Sequence, residues 1–245
     1  MQPLTAVPSR TERVYATIRD SICDCTLEPG THLVQEDLAS TLGVSRQPIQ
    51  QAMLLLKNEG LVVEHGGRGL YVAPLDPEAI THHYQIRVVL DQLAAKLVAE
   101  RANQSDDFRA ALRKRGEEIL VAGEAAQRDG TPVEAVHHDL QFHSFLYEMS
   151  GNPSIAPTAE AHWNFLRRVM VAVLIHANRG ELVWRQHRDI LDALIAGNAE
   201  AGQRLLSDHA FGAEGALRSE IAAGRATALV GDQGAPRKDL PKQGT

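Results

Sequence analysis

Residues 38–61, LASTLGVSRQPIQQAMLLLKNEGL, decide how the N-terminal third of the chain is read. They describe two short helices around a tight turn. Leu38, Ala39 and Leu42 make a small apolar face, and Gly43 stops the first helix, because glycine takes positive φ without steric cost. Val44 plugs the turn. Ser45 stands where an N-cap belongs, and Pro48 lies in the first turn, where a missing N–H costs nothing. Ile49, Ala52, Met53 and Leu56 recur at helical spacing and face inward. The opposite face carries Arg46, Gln47, Gln50 and Gln51. Polar, fork-shaped side chains at the start of a helix behind a glycine turn suit a helix that reads bases in the major groove. Taken alone, the stretch reads equally well as an ordinary helical hairpin with a solvated face.

The flanks favour the reader. In LVVEHGGRGLYVAPL, Leu61 to Glu64 and Leu70 to Ala73 alternate as strands, joined by His65-Gly66-Gly67-Arg68-Gly69. A two-stranded wing after a recognition helix makes a winged helix-turn-helix. Gly67 lets the wing tip approach a backbone closely, and Arg68 can meet a phosphate or enter the minor groove. Val14, Ile18 and Ile22 supply a supporting helix that ends before Glu28-Pro29-Gly30.

From Tyr15 through LEPGTHLVQEDLASTLGVSRQPIQQAM to NEGLVV and RGLYV, the chain resembles the DNA-binding domain of the GntR family of bacterial transcription regulators. The resemblance covers about residues 10–75, with several motifs in the family's order. It implies operator double-stranded DNA as a partner, met by Ser45, Arg46, Gln47, Gln50, Gly67 and Arg68. Gln50 stands where the family usually has Arg, Gln51 where Glu is usual, and Glu36 where some members carry a DNA-contacting Arg. Gln suits adenine edges and Arg suits guanine, so these departures bear on which bases are read.

The whole chain has 245 residues, room for two modest domains with cores of their own. It lacks an apolar run long enough to span a membrane and a basic-then-apolar N-terminal signal, so a cytoplasmic protein with no membrane partner is expected. Cys23 and Cys25, read as lying in one helix, are too few for a zinc framework and suit reduced thiols. Net charge is −6, and the first 75 residues hold more Asp and Glu than Lys and Arg. Non-specific DNA affinity should therefore be weak. Binding must rest on a local patch around Arg46, Lys57 and Arg68, doubled by a dimer.

In chain order, residues 1–9 read as a flexible arm, 10–73 as the winged helix-turn-helix and 74–77 as a linker. Residues 78–222 read as an all-helical domain for effector binding and dimerisation, and 223–245 as a disordered tail. The helices expected there run roughly 77–102, from Ser105-Asp106-Asp107 to 128, then to 150, 153–177, 181–196 and on to 222. The fold class is thus mainly α: a winged helix-turn-helix followed by an antiparallel helical bundle.

Nine of the eleven histidines fall in the bundle. Asp139 and His143 are four apart, so both side chains leave one helix face one turn apart, the spacing of a helical metal clip. Two ligands are too few. His187, beside Ile190, Leu191 and Leu194, and His209, beside Leu205 and Leu206, sit on apolar stripes and point inward. A histidine on an apolar stripe also serves as a hydrogen-bonded core residue, and His137, His138, His162 and His176 are read that way.

IRVVLDQLAAKLVAE, DLQFHSFLYEMSGNPSI and HRDILDALIAGNAEAGQRLLSDH resemble the all-helical FCD effector domain of the FadR-type branch of GntR regulators, over most of residues 78–210. The resemblance implies a divalent metal held by Asp139, His143, His187 and His209. Three imidazoles and a carboxylate suit zinc first, then nickel or manganese. It also implies a homodimer and a small carboxylate effector, with Arg87 in YQIRVVLD as its anchor. Arg87 reads equally well as a surface salt bridge to Asp91; Arg167 and Arg168 are weaker candidates of the same kind, read first as solvent-exposed.

The function expected is a ligand-responsive transcription regulator, a repressor in the commoner arrangement. Two rivals stand beside it. One is a helical metalloenzyme acting on a small organic acid with an appended winged helix. The other is a bundle with a purely structural zinc. The chain has no HExxH, nucleophile elbow or glycine-rich phosphate loop, which weighs against the enzyme.

Overall fold

The computed structural model describes residues 9–67, 69–174 and 180–223. The arm before Ser9, Arg68, His176 and the tail from residue 224 lie outside these described residues. The chain divides between Leu75 and Asp76 into two compact units.

In the first unit the order is α1 (Arg10–Cys23), β1 (His32–Leu33), α2 (Gln35–Thr41), α3 (Arg46–Asn58), β2 (Val62–Glu64) and β3 (Leu70–Val72). Ser9 caps α1 in a capping box with Glu12. Helix α1 packs on α3 through Val14, Ile18 and Ile22 against Ile49, Ala52, Met53 and Leu56, all buried. Gly43 has φ +61 in the turn between α2 and α3, which an L side chain adopts only under strain. The wing is three-stranded, not two: β1 pairs antiparallel with β3, giving the order β1-β3-β2. A two-residue strand is too short to show alternation, so the sequence does not announce it. Cys23 ends α1, and Cys25 lies beyond it with φ +56, so the two thiols do not share a helix.

The second unit is helical throughout among the described residues: α4 (Pro77–Gln104), α5 (Asp106–Asp129), α6 (Pro132–Ser150), α7 (Ile155–Leu174), α8 (Gly180–Ile195) and α9 (Ala199–Ala222). Local signals set these ends. Asp76 caps α4 ahead of Pro77, Ser105 caps α5, and Thr131 with Glu134 forms a capping box on α6. Gly151, in the left-handed region at φ +73, ends α6. The long α4 packs against α9, α6 and α7 and is the spine of the bundle. One apolar core runs from Ala95 and Val98 through Phe142 and Leu146 to Trp184, Ile190 and Leu194. At Gly123 a Cβ would lie 1.9 Å from the Trp184 ring, so only glycine lets α5 approach α8 there.

Candidate functional site

Two surfaces matter, one in each unit. In the first, Ser45 is the N-cap residue of α3, but its side chain makes no capping hydrogen bond. Ser45, Arg46, Gln47 and Gln50 are all exposed, while Pro48 and Ile49 between them are buried. Gln51 is tied down instead: its Oε1 accepts from the Thr11 hydroxyl at 2.7 Å, joining α3 to α1. Arg46 is paired with Glu36 of α2, and both are well exposed. Lys57 pairs with Glu64 of β2 at 2.8 Å. Two cations of the expected basic patch are thus matched by carboxylates of their own unit. Gly67 is exposed and has φ +66 in the β2–β3 turn.

In the second unit, α6 presents Asp139 and His143 one turn apart, α8 presents His187 and α9 presents His209. One ligand atom from each of the four lies within 4.8 Å of all the others. All three histidines are buried, with His143 and His187 fully so, and Asp139 is 9 % exposed. Trp163 lies over His143 at 5.0 Å, and Phe142 stacks on His187 at 4.2 Å. The group is therefore walled by rings and shielded from water.

The donor chemistry fits a cation. Both ring nitrogens of His187 are buried without a hydrogen-bond partner, and its Nε2 sits 3.3 Å from Asp139 Oδ1. Orphaned buried polar atoms are costly unless something unseen satisfies them. Burial, with His209, His143 and Arg87 nearby, holds the His187 imidazole well below its ordinary pKa, so it is neutral and keeps a lone pair. Burial also raises the Asp139 carboxyl, against the pull of His143 and Arg87. His209 donates from Nδ1 to Gln186 Oε1 at 3.1 Å, which places its lone pair on Nε2.

Arg87 is not the surface residue that one sequence reading allowed. It is 1 % exposed, and its Nε donates to Asp91 Oδ2 at 3.2 Å. Its Nη2 donates to His143 Nε2 at 2.7 Å, and its guanidinium stacks on Trp163 at 4.1 Å. Asp91 is as deeply buried and also accepts from the Tyr147 hydroxyl at 2.5 Å. Burial would raise the Asp91 carboxyl, but His143, Arg87 and Tyr147 outweigh it and hold it at about 2. The buried Arg87–Asp91 brace, completed by Tyr147 and Trp163, thus holds the His143 Nε2 lone pair, which Arg87 would have to release for His143 to ligate an ion through that nitrogen.

Further histidine and arginine expectations change. His137 is exposed and shares a hydrogen bond with Gln141 of its own helix. His138 and His162 are half-buried, and His162 meets His83 at 3.0 Å between Nδ1 atoms. Arg168 is buried and not solvent-exposed, while Arg167 is half-buried.

Sequence reasoning missed Asp91, Tyr147 and Tyr84 as parts of the site. The signal was present: Tyr84, Arg87 and Asp91 share the buried face of α4 with Ile80 and Val88, and an ion pair on an apolar stripe needs partners. A cavity of about 270 Å³ opens beside Arg87, Asp139 and His209.

The comparisons with known proteins agree with this architecture. Residues 10–72 match the model of the bacterial regulatory proteins of the gntR family, and residues 82–211 match the FCD domain. The HTH-type transcriptional regulator YdhC of Bacillus subtilis is 29% identical over 196 residues, covering 80% of this chain and 85% of its own. The HTH-type transcriptional repressor RspR of Escherichia coli is 26% identical over 198 residues, covering 81% and 84%. A GntR transcriptional regulator from Rhodococcus sp. RHA1 superposes with a TM-score of 0.72 at 28% identity, over 88% of this chain and 99% of that one. McbR/YncC of E. coli gives a TM-score of 0.75 at 22% identity, a likeness of fold. No helix among the described residues is long and apolar enough to cross a membrane. The chain belongs to the GntR family, as a DNA-binding transcriptional regulator with an FCD domain, and is not an enzyme.

Proposed function

We propose that the bundle senses a small carboxylate metabolite through one divalent ion held by Asp139, His143, His187 and His209, and that this controls operator binding by a homodimer. The observation that carries the reading is the convergence of the four ligand atoms within 4.8 Å inside the bundle. Zinc suits the donor set best, with nickel or manganese as the alternatives. The ion would supply a positive centre for an anion. The chain supplies the rest: Arg87, braced by Asp91, is a fixed cation beside the cluster, and Trp163 and Phe142 exclude water. Exposed Ile86, Val89 and Leu93 form a stripe along α4 that supports a homodimer. The name of RspR supports repression as the mode. In the first unit Ser45, Arg46, Gln47, Gln50, Gly67 and Arg68 would meet the operator. An effector switches the protein only by binding the DNA-competent and DNA-incompetent arrangements with different affinity. Residues 10–73 would act as the reader, 74–77 as a linker and 78–222 as the sensor.

Elemental analysis of protein purified without chelator tests the ion directly, with about one divalent ion per chain expected. EDTA should lower Tm, and Zn, Ni or Mn should restore it, because a ligand of the folded state stabilises by mass action. His143→Ala should lose both the ion and the chelator response, while His137→Ala, exposed on the same helix, should lose neither. Wild-type protein with no ion and no Tm response to added metal would remove the site.

A further inference from the structure

The cavity beside the cluster has a direction. On α9 it is lined by His209, Ala213, Ala216, Leu217 and Glu220, and on α6 by Asp139, Val136, Ala135 and Pro132. At 1.5 Å per residue it follows α9 for roughly 16 Å and α6 for roughly 10 Å, away from the cluster. Val183 and Trp184 of α8 and Ala126 and Gln127 of α5 line it as well, and these also lie toward the loop ends of their helices. Asp139, His209 and Arg87 therefore mark one end. Gln127, Gly130 and Thr131, at the α5–α6 connection, mark the other.

The two ends differ chemically. At the cluster end Arg87 is the only Lys or Arg among the lining residues. Tyr84 stands there with it: fully buried and lining the cavity, its hydroxyl has the Arg87 guanidinium beside it but makes no hydrogen bond of good geometry. A buried hydroxyl left over costs free energy that a bound acceptor would recover. Beyond this end the walls are apolar, with Val136, Met170, Val183, Trp184 and Leu217. Ala126, Ala135, Ala213 and Ala216 keep the space open by being small. The one charged lining residue at the far end is Glu220. A cavity of about 150 Å³ accepts benzene, so one of about 270 Å³ has room for about ten non-hydrogen atoms.

We infer that the effector is an amphiphilic monocarboxylate with an unbranched or aromatic apolar body of this size, its carboxylate taken by Arg87, Tyr84 and the cluster and its body lying between α6, α8 and α9. This rests on the carboxylate-sensing reading above and adds the body that the acid must carry. It excludes compact polyacids and hydroxyacids as the best ligands, since they would place hydroxyls and further charges against the apolar walls.

The test uses the full chain loaded with zinc to one ion per chain. Octanoate, acetate, citrate and 1-octanol are titrated by calorimetry and by tryptophan emission. Both tryptophans of the chain report: Trp184 lines the cavity and Trp163 stacks on Arg87. Octanoate should bind at least tenfold more tightly than acetate, citrate or octanol. Ala213→Gln, which narrows and polarises the wall at a half-buried position, should keep the ion and lose at least tenfold in octanoate affinity. Tyr84→Phe should lose several-fold. Citrate or acetate binding as tightly as octanoate would overturn the apolar body and leave carboxylate sensing standing. Octanol matching octanoate would overturn the carboxylate anchor and carboxylate sensing with it. No response to any of the four, with zinc in place, would overturn the cavity as a ligand site. Unchanged octanoate affinity in Ala213→Gln would place the ligand elsewhere.

Discussion

In the winged unit the buried core runs from Val14 through Ile49 and Leu56 to Val72 without a charged side chain. In the bundle, Arg87, Asp91, Asp139, His143, Arg168, His187 and His209 are buried among apolar neighbours. Every buried charged or imidazole side chain among the described residues lies on that side of Leu75. The two units therefore carry function in opposite places. The reader holds its polar residues outside, on an apolar scaffold that only has to be rigid. The bundle holds them inside, where desolvation makes each one expensive until it is paired. A core built that way gives up stability, and an ion or ligand bound among those groups, as proposed, would return part of it.

The largest effect expected comes from breaking the buried brace. Asp91→Ala leaves the Arg87 guanidinium buried without its carboxylate and should cost about 3–5 kcal/mol in denaturant unfolding of the bundle. Replacing both partners with apolar residues of similar size, Arg87→Met with Asp91→Leu, should recover most of that loss. The double variant should nonetheless fail to respond to the effector. If Asp91→Ala unfolds at the wild-type denaturant midpoint, the bundle does not depend on the pair. The contrast between the two cores then weakens.

A smaller effect is expected outside the reader's core. Arg46 is at the first position of α3 and exposed, so Arg46→Ala should leave unfolding within about 1 kcal/mol of wild type. It should weaken operator binding by about 1–3 kcal/mol and relax base preference, as the loss of a side chain that reads bases does. Gel shifts on operator and scrambled duplexes at one salt concentration separate the two. Equal affinity of variant and wild type for both duplexes would take Arg46 out of the reading surface.

The reader was the more legible of the two in sequence, for a physical reason. Its elements are marked by local chemistry: Gly43 for the turn, Pro48 for a first helical turn, and glycines 66, 67 and 69 for the wing. Only the two-residue strand β1 left no periodic trace. In the bundle, helix ends were equally plain because caps are local, as at Asp76, Thr131 and Gly151. The site was less so. The spacing of Asp139 and His143 follows from helical geometry, but His187 and His209 are set beside them only by the packing of α8 and α9, and resemblance alone linked them. Arg87 and Asp91 at four-residue spacing look the same in sequence whether they face water or a core. Tyr84, spaced with Ile80 and Val88, is indistinguishable in sequence from an apolar-stripe residue.

The smallest effect concerns a charge that the reader turns against itself. Glu36 pairs with Arg46 across α2 and α3. Both side chains are about two-thirds exposed, so the pair adds between nothing and about 1 kcal/mol to stability. In DNA binding its sign reverses. If Arg46 meets the operator as proposed, it must give up Glu36 to reach the groove, and the carboxylate would then stand near the phosphates. Glu36→Gln should therefore leave unfolding almost unchanged and tighten operator binding by about 0.5–1 kcal/mol, a few-fold in Kd. Affinity measured across a salt series shows where the freed Arg46 goes. If Arg46 moves to a phosphate, the slope of log K against log salt should steepen by about 0.9. If it stays on base edges, the gain should appear on operator and shrink on scrambled duplex. No gain on either duplex would mean that Glu36 does not restrain the reading helix.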